Sequence, residues 1–191
     1  MKRPILPFLF AALAPAEVFD WGLRAGAPLN DVVSTASKGT LNFQTVAAKY
    51  TFGPTLEIFL PAGLAVTFDV LYRPVEYRRQ AATGPAAFQS RHWEFPLMAR
   101  YRLGKGRARP FIAGGPTFNH IGGAISQPVE FIKNSSNGIV FGGGLEVKVP
   151  VIRFSPEFRY THWGSDNFKD AVNGLVKSNR SQWEFLVGVT F

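Results

Sequence analysis

The last eleven residues constrain the fold more than any other stretch of this 191-residue chain. Within 181–191, every second residue from Trp183 to Phe191 is apolar, and the residues between them are polar or glycine except Leu186. A period of two is typical of a β-strand with one apolar and one polar face. A tilted strand of about ten residues can cross a bilayer. The terminal aromatic residue is typical of a membrane–water interface.

The composition argues against several other classes of protein. The chain has no cysteine, which excludes disulfides and cysteine-ligated metal sites. No apolar run approaches the ~20 residues of a membrane-spanning helix. The net charge is +8, but the basic residues are dispersed, whereas binding to nucleic acid needs clustered phosphate contacts. We therefore expect no nucleic-acid partner. Outer-membrane lipid and the phosphates of lipopolysaccharide are the anionic partners that we expect.

The first sixteen residues have the three-part pattern of a secretory signal. Met1-Lys2-Arg3 is basic, 4–14 is an apolar run, and Ala14-Pro15-Ala16 offers small residues for cleavage. Cleavage after Ala16 leaves 17–191 as the exported domain. The sequence therefore predicts a signal peptide over 1–16 and a barrel over 17–191.

Eight segments with strand-like alternation follow the signal. They are 19–27, 49–60, 64–72, 92–103, 110–118, 138–149, 152–160 and 181–191. Their connections alternate between long polar loops, as at 73–91, and tight turns, as at 61–63. This layout is typical of bacterial outer-membrane barrels. The sequence predicts an all-β, eight-stranded antiparallel up-and-down transmembrane β-barrel with both termini on the periplasmic, short-turn rim.

The polar phase of these strands carries charges of both signs. Mixed charges can pair in a confined lumen, whereas a lone buried charge costs several kcal/mol. Eight strands leave a lumen just wide enough for side chains to fill, so we predict a plugged interior and not a pore. The predicted lumen charge network comprises Asp20, Arg24, Glu57, Asp69, Glu94, Arg100, Arg102, Glu146, Lys148, Arg153, Glu157, Arg159 and Glu184.

The apolar phase carries large aromatic residues near the strand ends. Such residues form girdles at the two membrane interfaces of transmembrane barrels. The predicted girdle comprises Trp21, Tyr72, Trp93, Tyr101, Tyr160, Trp183 and Phe191. The apolar phase is therefore expected to face lipid, although a soluble periplasmic lipid-binding barrel with the two faces exchanged remains an alternative.

Four prolines fall inside predicted strands: Pro54, Pro96, Pro116 and Pro156. Proline removes a donor from the hydrogen-bonded ladder, and a closed barrel has no free edge to accommodate that loss. We expect bulges or locally missing hydrogen bonds at these positions.

The chain resembles the small outer-membrane β-barrel domains related to OmpA-type and OmpX-type proteins. The similar stretches are 21–26, 109–115, 156–160 and the aromatic C-terminus, and the resemblance covers 17–191. It implies an outer-membrane location and insertion by the barrel-assembly machinery through the terminal strand. It implies no particular activity, and no partner of the surface loops.

Three histidines are the candidates for chemistry: His92, His120 and His162, the last with Ser165 and Asp166 nearby. A serine hydrolase needs a nucleophile, a base and an orienting group within hydrogen-bond reach. The phases of these histidines do not converge, so we expect no enzyme. A narrow porin-like channel and an outer-rim lipid-modifying or proteolytic enzyme remain alternatives.

Three inward-facing glutamates of the last strands, Glu146, Glu157 and Glu184, could in principle bind a cation. Arginines share their phase, so we expect ion pairs there. No cofactor and no metal site is predicted.

Overall fold

The main body of the molecule is a closed antiparallel β-barrel. It is seen in a computed structural model that describes residues 18–30, 33–35, 42–46, 50–81, 84–122, 129–131, 135–165, 168–170 and 176–191. The strands within these ranges are β1 (Phe19–Pro28), β2 (Val33–Thr35), β3 (Asn42–Val46), β4 (Thr51–Phe59), β5 (Leu64–Asp69), β6 (Leu71–Ala81), β7 (Gly84–Arg102), β8 (Ala108–Gly122), β9 (Val129–Phe131), β10 (Ser135–Lys148), β11 (Arg153–Trp163), β12 (Phe168–Asp170), β13 (Val176–Ser178) and β14 (Ser181–Thr190). The predicted signal peptide, 1–16, lies outside the described residues.

Eight wall strands form the barrel. Their order around the barrel is β1, β14, β11, β10, β8, β7, β5 with β6, and β4. Val70 separates β5 from β6, which together make one wall strand. The barrel closes because β1 pairs antiparallel with β14 on one side and with β4 on the other. The predicted all-β, eight-stranded antiparallel barrel is confirmed.

The alternating pattern of the sequence determines which side chains of the wall strands face the lumen and which face outward. In β1, Asp20 and Arg24 are buried while Trp21 and Leu23 are exposed, as the period of two requires. The same alternation runs through β4, β11 and β14. The polar phase therefore fills the lumen and the apolar phase covers the outside. None of the described residues belongs to a helix that is long and apolar enough to cross a membrane.

The long polar loop predicted over 73–91 is wrong. β6 and β7 continue as a paired hairpin from Leu71↔Glu94 to Ala81↔Gly84, and β3 adds a third strand beside β6. The polar composition had indicated a loop. Backbone pairing across the hairpin satisfies the N–H and C=O groups of such a segment regardless of its side chains.

A second, four-stranded sheet is built from the long connections. Its order is β2, β13, β12, β9. β2 follows β1, β9 lies between β8 and β10, and β12 and β13 lie between β11 and β14. Segments of three connections thus pair with one another.

The strand prolines interrupt the ladder without a bulge. On one side of each proline some cross-strand pairs are missing, and the register then resumes unchanged. Pairing of β10 with β11, for example, passes from Gly144↔Glu157 to Val147↔Phe154 and skips Pro156. An inserted residue would have shifted that register. Of the two expected outcomes, locally missing hydrogen bonds are the one that the structure shows.

Candidate functional site: the charged lumen

The barrel interior contains equal numbers of carboxylate and arginine side chains. Among the described residues, seven buried carboxylates face six buried arginines and the half-buried Arg109. Twelve of the thirteen predicted lumen charges are buried; Lys148, at the end of β10, is half-buried. The buried carboxylates are those of Asp20, Glu57, Asp69, Glu94, Glu146, Glu157 and Glu184. The arginines are Arg24, Arg73, Arg100, Arg102, Arg109, Arg153 and Arg159.

The central cluster is organised around Glu157 and Asp69. Glu157 accepts from Arg100 Nη2 at 3.0 Å and from Arg159 Nε at 3.1 Å, and it also pairs with Arg24. Asp69 accepts from Arg159 Nη2 at 2.9 Å and from Thr55 Oγ1 at 2.6 Å. Strands β1, β4, β5, β7 and β11 contribute to this cluster, so the interactions bridge the lumen from several sides.

A second cluster lies toward the short turns. Arg102 donates to Glu146 at 2.7 Å and lies 2.6 Å from Glu57, and Arg109 also pairs with Glu146. Arg153 Nε lies 2.8 Å from Asp20. The guanidinium groups of Arg102 and Arg153 also lie over the ring of Phe59, at 4.7 Å and 4.3 Å from its centroid. Cation–π contact adds to the ion pairing at this end.

A third cluster lies toward the long connections and is centred on Arg73. Arg73 pairs with Glu184 and lies 3.9 Å from Glu94. It also donates to Gln182 Oε1 at 3.0 Å and to Thr51 Oγ1 at 3.2 Å. Arg73 lies outside the predicted lumen charges, because the predicted third strand ends at Tyr72. The continuing alternation from Asp69 through Leu71 to Arg73 was the signal that could have revealed it.

Farther toward the long connections than the Arg73 cluster, the lumen is filled by aromatic and polar side chains rather than by ion pairs. The ring of His92 lies 6.1 Å from the indole of Trp163, and both side chains are buried. Asn119 accepts from the Ser136 backbone N–H at 2.7 Å. Neither ring nitrogen of His92 nor Trp163 Nε1 has a hydrogen-bond partner among the residues that the structure describes. His92 lies on the lumen face, as its phase predicts.

The seven predicted girdle residues all lie on the outward face, and six of them pack in pairs at the two ends of the wall. Trp21 and Phe191 pack at 5.8 Å between ring centroids near the short-turn end. Tyr72 packs on Trp93 at 5.0 Å, and Tyr160 packs on Trp183 at 4.8 Å, toward the long connections. Tyr101 is exposed near the short-turn end of β7. Their membrane contact stays a prediction at this point.

The outward histidines have partners that the sequence analysis did not identify. His162 Nδ1 lies 3.3 Å from Ser181 Oγ and 3.4 Å from Tyr160 Oη. Ser165, predicted to lie near His162, instead donates to Ser136 Oγ at 3.2 Å, and Asp166 lies outside the described residues. His120 Nδ1 lies 3.2 Å from Ser135 Oγ. The three histidines do not converge on one site.

The three glutamates considered for cation binding lie in three different clusters. Glu146 pairs with arginines near the short turns, Glu157 pairs in the centre, and Glu184 pairs with Arg73. Within the described part of the chain, no group of three or more His, Asp or Glu side chains is placed to hold a metal ion.

The class that this architecture defines is the eight-stranded antiparallel barrel with a charged interior and an apolar exterior. No family profile matches the chain, and no curated protein matches it by sequence. Several solved structures share the fold, among them OprG, Neisserial surface protein A and the N-terminal domain of OprF. OprG of Pseudomonas aeruginosa, an outer membrane protein, is 11% identical, with a TM-score of 0.63 over 90% of this chain and 92% of that chain. Neisserial surface protein A is 15% identical, with a TM-score of 0.56 over 90% and 94%.

The N-terminal β-barrel domain of Pseudomonas aeruginosa OprF is 13% identical, with a TM-score of 0.52 over 91% of this chain and 96% of that chain. At these identities the likeness concerns the fold. The resemblance to small outer-membrane barrels that the sequence predicts is thereby confirmed at the level of fold.

Proposed function

We propose that this protein is a bacterial outer-membrane β-barrel whose lumen is closed by ion pairs. Its role is to stabilise the envelope or to present its long connections to surface partners. In this proposal residues 1–16 direct export, and the terminal strand β14 is read by the barrel-assembly machinery. Catalysis is not part of the proposed role.

The observation that carries this proposal is the arrangement of the two faces. Exposed residues in the middle of the wall are large and apolar, including Leu23, Leu97, Phe141 and Phe158. The charges are inside. In water this arrangement would leave a continuous apolar surface far larger than soluble proteins expose. In a bilayer the same surface is the favourable one, and a soluble lipid-binding barrel would require the opposite faces.

The dimensions of the apolar band support membrane insertion. On β14 the outward aromatic residues Trp183 and Phe191 are eight positions apart, which is about 26 Å along a strand at ~3.3 Å per residue. A tilt of about 40° reduces this to about 20 Å along the membrane normal. Trp93 and Tyr101 on β7 have the same spacing. Both spans approach the ~25 Å apolar band of outer-membrane barrels.

The three clusters at successive levels support the proposed closure of the lumen. An ion that enters the barrel meets guanidinium and carboxylate groups that are already paired, and breaking a buried pair costs about 3–5 kcal/mol. Several pairs bridge non-adjacent wall strands, such as Arg100 of β7 with Glu157 of β11. The interior is therefore a plug and not a pathway.

The test begins with the full chain expressed in a Gram-negative host and the protein extracted from the outer membrane. We expect a β-rich species that needs detergent to stay dispersed and whose gel mobility changes on boiling. A monodisperse, detergent-free barrel in the periplasmic fraction would contradict the membrane proposal.

The same preparation, reconstituted in planar bilayers, tests closure. We expect no unitary conductance from the wild type. The matched control for successful insertion removes one arginine–carboxylate pair from each cluster, since a lumen opened at all three levels should conduct: Arg73→Ala with Glu184→Ala, Arg100→Ala with Glu157→Ala, and Arg102→Ala with Glu146→Ala. Steady channels from the wild type would favour the alternative function of a narrow porin-like channel.

A further inference from the structure

The outward face becomes polar just beyond the aromatic residues at the long-connection end. Two His–Ser pairs lie there on neighbouring parts of the wall: His120 with Ser135 between β8 and β10, and His162 with Ser181 between β11 and β14. All four side chains lie on the outward phase and are exposed or half-buried. The lumen clusters have no part in these contacts.

The His162 pair has a third member. Tyr160 Oη lies 3.1 Å from Ser181 Oγ and 3.4 Å from His162 Nδ1, so three polar groups converge within 3.1–3.4 Å of one another. His162 and Ser181 are direct cross-strand partners, and Tyr160 lies two residues along β11 on the same face. We call Tyr160, His162 and Ser181 the outer triad.

The backbone around the outer triad is held in place by Asn30. Its Nδ2 donates to the Ser181 carbonyl oxygen at 2.7 Å, and its Oδ1 accepts from the Trp183 N–H at 2.7 Å. Asn30 follows β1, so the end of β14 is fixed to the adjacent strand. The outer triad is thus preorganised, which lowers the ordering cost of binding a ligand.

The position of the outer triad relative to the aromatic residues indicates its depth. Tyr160 packs on Trp183, and the hydroxyl and imidazole groups lie on the long-connection side of that ring pair. Aromatic belts mark the boundary between acyl chains and headgroups. A polar group two residues beyond the belt therefore lies at headgroup level.

The chemistry of the outer triad favours an acceptor-rich ligand. Each hydroxyl has a single proton, so one hydroxyl can donate to His162 Nδ1 while the other donates to a ligand, and the imidazole then donates to the ligand from Nε2. A phosphate group offers several acceptor oxygens and a negative charge, and hydrogen bonds to charged groups are the stronger ones. A hydrolase would instead need the imidazole between a nucleophile and an orienting group, whereas His162 Nδ1 contacts both hydroxyls.

We propose that the outer triad binds the phosphate of an outer-leaflet lipid headgroup. This inference rests on the proposed membrane function. It assigns the lipid-binding role to Tyr160, His162 and Ser181, on one side of the barrel, rather than to the net positive charge of the whole chain.

The test uses the detergent-solubilised barrel from the full chain with imidazole ¹⁵N-labelled histidine. Dioctanoyl phosphatidic acid is the probe, and dioctanoylglycerol is its matched control without phosphate. We expect the His162 resonances to shift with the first lipid only. Of Tyr160→Phe and Ser181→Ala, the variant that removes the hydroxyl donating to phosphate should weaken binding roughly tenfold, the effect of one hydrogen bond to a charged group. Ser165→Ala, which removes an unrelated hydroxyl, should leave the affinity unchanged.

Three results would overturn the assignment: equal shifts with dioctanoylglycerol, affinity unaffected by both triad variants, or equal affinity for inorganic phosphate. Release of fatty acid from the probe would replace binding with hydrolysis as the role of the outer triad. Failure of the membrane proposal is separable, because it appears as a barrel that stays soluble without detergent before any lipid is added.

Discussion

Arg159 Nη2 lies 2.9 Å from Asp69 Oδ2, and this ion pair joins opposite walls of the barrel. Arg159 belongs to β11 and Asp69 to β5, four positions apart in the closed ring of eight wall strands. Both side chains are fully buried. One side-chain pair therefore spans the whole lumen, and it shares Arg159 with Glu157.

Removing either member of this pair should strongly destabilise the barrel. We expect Asp69→Leu and Arg159→Met each to lower the free energy of unfolding by roughly 3 kcal/mol, because each removes one of the partners of a buried charge and leaves the other partners in place. The double variant should lose clearly less than the sum of the two. Urea titration in micelles measures the free energy of unfolding of all three variants. Strictly additive losses would show that the two side chains do not interact energetically.

A charge in the middle of the outward face should be costly in a membrane. Leu97 lies midway between Trp93 and Tyr101 on β7 and is 42% exposed. We expect Leu97→Arg to cost about 2–4 kcal/mol of folding free energy in lipid vesicles. Val151→Arg is the control, because Val151 lies in a short turn and is 78% exposed. An equal, small effect at both sites would indicate an exterior that faces water.

Two adjacent glycines of β10 should respond differently to alanine. A Cβ at Gly144 would collide with the Pro156 carbonyl oxygen and lie 2.9 Å from Phe111 Cζ, whereas at Gly143 the nearest atom is 3.6 Å away. We expect Gly144→Ala to cost roughly 1–3 kcal/mol through overpacking and Gly143→Ala to be nearly neutral. The temperature at which each variant loses the gel mobility of the folded barrel compares the stabilities of the two variants. Equal stability of the two variants would mean that β10 and β11 can move apart freely.

The terminal aromatic residue should affect closure of the barrel. Phe191 donates its N–H to the Trp21 carbonyl oxygen at 2.9 Å and packs on that ring, so it fastens the seam between β14 and β1. We expect Phe191→Ala to weaken the seam by about 0.5–1.5 kcal/mol and to slow assembly in liposomes that carry the barrel-assembly machinery. Val149→Ala, an exposed apolar change away from the seam, is the control. Unchanged assembly kinetics would contradict this role.

The alternation of residue types allowed the lumen charges to be predicted, because a period of two assigns each side chain to a face without knowledge of its partners. The pairing itself could not be predicted. Which arginine meets Glu157 depends on the register between strands far apart in the chain, and all charges of one phase are equivalent in the sequence. His162 illustrates the same limit, since its partner Ser181 lies on the next strand and not in the adjacent Ser165.

The length of the strands was predicted less well than their faces. Polar residues beyond Tyr72 indicated a loop, yet β6 continues to Ala81 because pairing with β7 satisfies its backbone. The ion pairs of Arg73 were missed for that reason. Trp163 was missed as well, since a buried tryptophan on the lumen phase runs against the expectation that large aromatic residues face outward.

If the long connections face the cell exterior, as proposed, the small sheet made by β2, β13, β12 and β9 is what an antibody would meet there. Its neighbouring strands come from three separate connections. Positions such as Lys169 and Glu130 are far apart in the chain but paired in the sheet. A recognition surface there is a discontinuous epitope. A linear peptide copied from one connection would reproduce only a part of it, and a change in one connection would alter recognition of its neighbours.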